Sequence, residues 1–264
     1  LKNIDMTIIG SGIIGLTCAL KLRELKPKAR IVILERGYLP SGASTKNAGF
    51  TCFGSPSELL DDLNNFSESE VFKLVELRIK GLEKLKNLIG TSEMDYKEYG
   101  SYELFNDKDI YENSLNRLPY LNKMLFHIFK EDTYELFDKP ETFGFDKNSL
   151  IIKNKFEGQI NTGLMMRKLL RLCRDSNIEI FNGFDVDTFE KQKQQWVVYG
   201  ENKQILTNKL LICNNAFASK LLSNIDLKPA RAQVLITQPI ENLKIKGCFH
   251  MDEGYYYFRN VGNR

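Results

Sequence analysis

The chain has 264 residues, 37 basic against 34 acidic for a net charge of +3, and 42% hydrophobic residues. That length holds one large α/β domain or two modest ones, and a near-balanced charge gives no reason to invoke nucleic acid, whose binding needs a clustered basic face. No apolar run approaches the ~20 residues of a membrane-spanning helix, and Leu1 to Met6 lack the charged-then-apolar pattern of a secretory leader. The first residue is Leu1, not methionine, so a trimmed N-terminus is expected. Asp5 to Ile9 reads as a strand ending in a glycine turn. Apolar spacing at Ile13, Leu16, Ala19, Leu20 and Leu25 marks a helix over 13–26 that Pro27 stops. Ile31 to Leu34 is a continuous apolar run, as a buried parallel strand requires, so the start is a right-handed βαβ unit.

Residues 37–57 are rich in Gly, Ser, Thr and Asn and read as a loop, with Ser57 as the cap of a short helix. A helix over 68–88, a strand over 99–105 and a helix over 112–129 follow, then short strands and turns over 143–160. A helix over 163–174 leads to a strand at 178–181 and a turn at Asn182-Gly183. Val186 to Glu190 and Trp196 to Tyr199 read as an antiparallel meander, and Leu210 to Cys213 as a buried strand turning into a short helix. Gln233 to Thr237 and Tyr255 to Arg259 are predicted strands of a second sheet.

Gly10-Ser11-Gly12-Ile13-Ile14-Gly15 fits GxGxxG between a strand and a helix. The first glycine permits the tight turn, the second lets a pyrophosphate approach the backbone, and the third lets helix and strand pack closely. The free N–H groups at the head of the helix, from Ile13 and Ile14 onward, then face the anion. Glu35 ends the second strand about twenty residues past Gly15, where a carboxylate accepts hydrogen bonds from a ribose diol and repels a 2′-phosphate. NADP is thereby disfavoured, while NAD and FAD both remain.

Glu35-Arg36-Gly37 followed by Ser41-Gly42-Ala43-Ser44-Thr45-Lys46-Asn47-Ala48-Gly49 resembles the FAD-binding signature of the D-amino-acid-oxidase-like flavoproteins, with Lys46 where arginine is commoner. Glycine oxidase, sarcosine oxidase, D-amino acid dehydrogenases and 2-hydroxyglutarate dehydrogenases belong to that family. Residue chemistry agrees: Ser44 and Thr45 can donate to phosphate oxygens, Lys46 adds charge, and Asn47, Ala48 and Gly49 are small enough for a flat ring to lie against backbone. The resemblance extends to Gly158–Asn161, to the segment around Val186 that implies adenine contact, and to Leu211–Phe217, where Asn214 and Asn215 replace small residues beside the pyrophosphate. Pro229 to Gln233 resembles a strand of the family's substrate domain. A second glycine-rich segment typical of the family is not present before Arg264, so the chain is expected to be C-terminally truncated and to hold FAD weakly or not at all.

The resemblance implies an α/β fold. Its Rossmann-like FAD-binding domain, with a central parallel sheet and an antiparallel meander, is expected over 1–57 and 151–225. An α+β substrate domain with a mixed or antiparallel sheet is expected over 58–150 and 226–264. The implied reaction is hydride transfer from a small amine or amino acid to flavin N5. A 2-hydroxy-acid dehydrogenase and a non-catalytic flavin-fold fragment are the alternatives. Tyr257 and Arg259, on one face of the last strand, are the candidate substrate-binding residues, since a guanidinium holds a carboxylate bidentately. His250 is either a pocket base or a structural residue, and Cys52 either a packed thiol or a redox group. Two histidines and five scattered cysteines give no expected metal site and point to reduced thiols in a cytoplasmic protein.

Overall fold

The computed structural model describes residue 1 and residues 3–264. In chain order the elements are β1 (Ile4–Ile9), α1 (Ile13–Leu25), β2 (Ile31–Glu35), α2 (Pro56–Asn65), α3 (Glu68–Ile89), β3 (Ser101–Phe105) and α4 (Lys108–Phe129). There follow β4 (Tyr134–Leu136), β5 (Leu150–Asn154), α5 (Thr162–Asp175), β6 (Glu179–Asn182), β7 (Thr188–Gln192), β8 (Gln195–Gly200), β9 (Lys203–Ile212), β10 (Cys248–Met251) and β11 (Tyr256–Arg259). They divide between two compact units, Leu1–Asn47 with Thr162–Val234, and Ala48–Asn161 with Leu235–Arg264.

The first unit is built on a six-stranded sheet in the order β6-β2-β1-β9-β8-β7. Strands β6, β2, β1 and β9 run parallel, while β8 and β7 complete an antiparallel meander. Ile4, Val32, Leu34, Phe184, Val198 and Ile205 pack together, giving the expected continuous apolar strands a dry interior. Cys173 on α5 is fully buried against α1, its thiol 3.6 Å from the Leu16 carbonyl oxygen. Strand β9 is longer than the apolar run at 210–213 marks, because its first half pairs with β8 while carrying polar residues.

The second unit holds a five-stranded mixed sheet in the order β11-β10-β3-β5-β4, with only the β10–β3 pair parallel. One face packs against α2, α3 and α4 through Phe53, Leu59, Val75, Leu121, Leu125, Tyr134 and Ile152. The other carries an aromatic cluster, in which Phe249 stacks on Phe258 with centroids 4.9 Å apart and on Tyr102 at 5.0 Å.

Several expectations need correcting. Ser55, not Ser57, caps α2: the Glu58 carboxylate accepts from the Ser55 N–H at 2.8 Å, the reciprocal half of a capping box with Pro56 at the first helical position. Helix α4 begins four residues early, because the Asp107 side chain accepts from the N–H groups of Asp109 and Ile110. Residues 233–237 form no strand: Val234, Leu235 and Ile236 are exposed and pair with nothing among the described residues. Strand β10 was not foreseen, and Tyr255 lies in the turn before β11. Residues 48–57 and 151–161, expected with the first domain, belong to the second unit, since β5 pairs with β3 and β4.

Candidate functional site

Strand β1 runs into Gly10, whose φ is +102° and where a Cβ would stand 2.7 Å from the Cys213 carbonyl oxygen. Only glycine satisfies both demands. A Cβ on Gly15 would overlap the Gly10 carbonyl oxygen, so helix and turn approach as closely as the motif requires. Gly12 is the N-cap of α1 and offers no side chain, and no acidic residue lies in the first turn. The first turn of the helix therefore carries no carboxylate of its own against the positive end of the dipole. The Ile13 N–H donates instead to the Ser44 hydroxyl oxygen at 3.0 Å, while the Ile14 side chain is exposed.

Glu35 ends β2. Its Oε2 accepts from the N–H of Ser11 at 3.1 Å and from the Ser11 hydroxyl, and its Oε1 accepts from the Gly37 N–H at 2.9 Å. Three donors leave about one of the roughly four lone-pair positions of the carboxylate. The loop carrying Val186 is held beside this strand end by bonds from Gly183 N to Gly37 O at 3.0 Å and from Phe184 N to Glu35 O at 2.9 Å. Past β9, Asn214 has a buried side-chain oxygen without a hydrogen bond among the described residues, and Asn215 adopts φ +52° at the head of a 3-10 helix. The carboxyl ends of β1, β2 and β9 thus bring together Gly10, Gly12, Ile13, Glu35, Ser44 and Asn214, the edge at which open parallel sheets bind ligands.

The rest of the predicted set is placed differently. Arg36 stacks its guanidinium on Phe217 at 4.5 Å. Thr45 bonds its own loop through Gly42, Lys46 is exposed, and neither reaches the glycine turn by a hydrogen bond among the described residues. The Asn47 amide donates to the carbonyls of Ala43 and Ser44. Ala48 and Gly49 fall in the second unit, where the Gly49 carbonyl accepts from Ile160 N at 2.8 Å.

A helix N-terminus with no side-chain bond from its own N-cap and a cradle without Cβ atoms fit the pyrophosphate of a dinucleotide.

In the second unit, residues in register on neighbouring strands share a face. His250 stands opposite Tyr257 and Glu103, and Cys248 opposite Arg259 and Ser101. Arg259 is half-buried, which lowers its pKa, and its guanidinium makes no hydrogen bond among the described residues. Phe50 meets both His250 and Tyr257 edge-on, with centroids 5.3 and 5.5 Å apart. Cys52 Sγ lies 3.5 Å from His250 Nε2. The neighbouring Cys248 thiol, then burial, push the Cys52 thiol well above its ordinary value. The fully buried Glu157 carboxylate accepts from Phe53 N at 2.6 Å, Gly54 N at 3.1 Å and the Ser101 hydroxyl at 2.5 Å. Buried Glu103 accepts from the N–H and hydroxyl of Ser57, and burial raises it to about 7. Glu103, Glu157 and Cys248 escaped the sequence reading, because carboxylates and a thiol in a strand-and-turn region carry no local signature of burial.

The sequence model of the DAO family, FAD dependent oxidoreductase, matches residues 5–264. The chain belongs to this family. Among curated proteins it is similar to the probable oxidoreductase OrdL of Haemophilus influenzae, at 19% identity over 251 residues, which are 91% of the chain and 57% of that protein. Glycine oxidase from Bacillus cereus aligns with a TM-score of 0.69 and 18% identity over 98% of the chain and 69% of its own. L-proline dehydrogenase from P. horikoshii gives 0.66 and 16% over 99% and 68%. Glycine oxidase from Geobacillus kaustophilus gives 0.64 and 19% over 82% and 56%. At these identities the likeness is one of fold, and the chain spans little more than half of OrdL and of the Geobacillus enzyme. No helix among the described residues is long and apolar enough to cross a membrane.

Proposed function

We propose that the chain holds FAD at the carboxyl ends of β1, β2 and β9 and serves the oxidation of a small amine or amino acid. The supporting observation is the cradle of Gly10, Gly12 and Gly15 at a helix N-terminus with no side-chain bond from its own N-cap, with Glu35 and Ser44 beside it. The Ile13 and Ile14 N–H groups donate to the pyrophosphate, a phosphate oxygen taking the bond that Ser44 Oγ accepts from Ile13. Ser44 and Thr45 then donate through their hydroxyls, and Lys46 contributes charge. Glu35 accepts from a ribose hydroxyl at the lone-pair position that its three donors leave, with Arg36 beside it. The backbone at Val186 meets the adenine, Asn214 and Asn215 border the pyrophosphate, and Asn47, Ala48 and Gly49 offer backbone to the flavin ring.

FAD supplies a two-electron acceptor for the α-hydrogen of the substrate. The chain's own work is then positioning. The Arg259 guanidinium, half-buried and without a hydrogen bond among the described residues, suits a substrate carboxylate, and Tyr257 on the same face adds a hydroxyl. Glycine oxidase and L-proline dehydrogenase are the names carried by two of the similar structures, and both substrates are amino acids.

Anaerobic mixing of the FAD-loaded protein with glycine, proline, other small amines and 2-hydroxy acids tests the reading. Bleaching of flavin absorbance by an amine or amino acid is expected. Bleaching by hydroxy acids alone moves the substrate class, and bleaching by none of them overturns the assignment.

A further inference from the structure

Three segments remote in sequence converge inside the second unit: Cys52–Gly54, Glu157–Gly158 and Cys248–His250. One ligand atom each from Cys52, Glu157 and His250 lie within 4.8 Å of one another. Glu157 is fully buried and His250 is 6% exposed. A thiol, an imidazole and a carboxylate are the three ligand types of protein zinc sites.

The spacing supports more than proximity. Zn–S of about 2.3 Å and Zn–N of about 2.05 Å at the tetrahedral angle put sulfur and nitrogen about 3.5 Å apart. Cys52 Sγ and His250 Nε2 are 3.5 Å apart. Closing the carboxylate edge from the 4.8 Å limit asks for a movement of roughly 1 Å. The three donors on Glu157 leave about one lone pair for a further bond.

Charge adds a second argument. A dication with one thiolate, one carboxylate and a neutral imidazole sums to zero, which a buried position tolerates far better than a net charge. The Cys248 thiol adjoins Cys52 but donates to the Gly158 carbonyl oxygen at 3.2 Å, so the fourth position is left to water.

We infer that Cys52, Glu157 and His250 form a zinc-binding site that pins the segment after the proposed flavin-side loop to the sheet carrying Tyr257 and Arg259. On binding, the Cys52 S–H bond breaks, its electron pair forms the Zn–S bond, and the proton leaves to solvent. No electrons are transferred. The inference is independent of the FAD reading, since every ligand lies in the second unit.

Cobalt(II), which takes tetrahedral zinc positions and is coloured, is the probe. Titration of the metal-stripped, reduced protein is expected to give one equivalent of bound Co(II), a thiolate-to-cobalt charge-transfer band in the near ultraviolet, and intense visible bands that Zn(II) removes. C52S is expected to lose the charge-transfer band and C173S to keep it. Because C52S could misfold, wild-type protein is also alkylated with and without Zn(II). Zinc should protect Cys52, read by peptide mass, while leaving Cys18 equally reactive. The proposal is overturned by absence of the charge-transfer band, by its persistence in folded C52S, by unprotected Cys52, or by weak multi-equivalent binding that marks an adventitious ion only.

Discussion

Replacing Glu103 with glutamine removes a charge that the fold tolerates poorly while keeping the shape. Burial raises this carboxyl from 4.5 to about 7, against the lowering effect of the Ser57 N–H and hydroxyl. Between those two values the folded protein keeps the proton that the unfolded chain has lost, so wild-type stability falls as pH rises through this window and stays lower above it. The shift of about 2.5 pH units at about 1.36 kcal/mol each sets a cost of roughly 3 kcal/mol above pH 7. Glu103→Gln carries no such term. Urea denaturation of both proteins across pH 4 to pH 8 should show the variant gaining about 3 kcal/mol relative to wild type over that range. A difference that stays flat, or that moves in favour of wild type as pH rises, would refute the assignment of Glu103 as a desolvated acid.

Asn122→Ala should destabilise the second unit by about 3 kcal/mol, read by urea denaturation at neutral pH, since Asn122 bonds Thr133 N, Tyr134 N and the Tyr134 carbonyl in the interior. A loss below 1 kcal/mol would mean those backbone groups find other partners. Arg259→Lys replaces a planar two-point donor by a point charge and should raise KM for a carboxylate substrate at least tenfold, leaving kcat within a few-fold. An unchanged KM would remove Arg259 from the site.

The legible parts of the sequence were those where chemistry is local. The apolar runs of β1 and β2, the glycine turn between β1 and α1, and the Glu35 position can be read from a few dozen consecutive residues. The segment from Ser41 to Gly49 carries the family resemblance in the same way, although Asn47 falls in the first compact unit and Ala48 in the second. What escaped depends on long-range register. Strand β10 has only four residues, and its pairing with β3 brings His250 beside Glu103 from almost 150 residues away. Nothing near Glu157 announces that two loop N–H groups and a serine will converge on it. The strand expected at 233–237 failed for the converse reason: its residues have strand propensity, but a strand needs a neighbour, and none of the described residues pairs there.

The central claim, that the turn Gly10–Gly15 binds the FAD pyrophosphate, is tested most directly by ligand-induced thermal stabilisation of wild type and Gly12→Asp. Gly12 has φ −73° and extended geometry, and a Cβ there would stand 2.9 Å from Ser44 Oγ, a side-chain atom that can rotate away. Aspartate is a strong N-cap, so the variant should fold with an unligated Tm at or above that of wild type while its carboxylate repels phosphate. Millimolar FAD is predicted to raise the Tm of wild type, by about 1.4 kcal/mol of stability at ten times Kd, and to leave Gly12→Asp unmoved. No shift in wild type, or an equal shift in both proteins, would contradict the account.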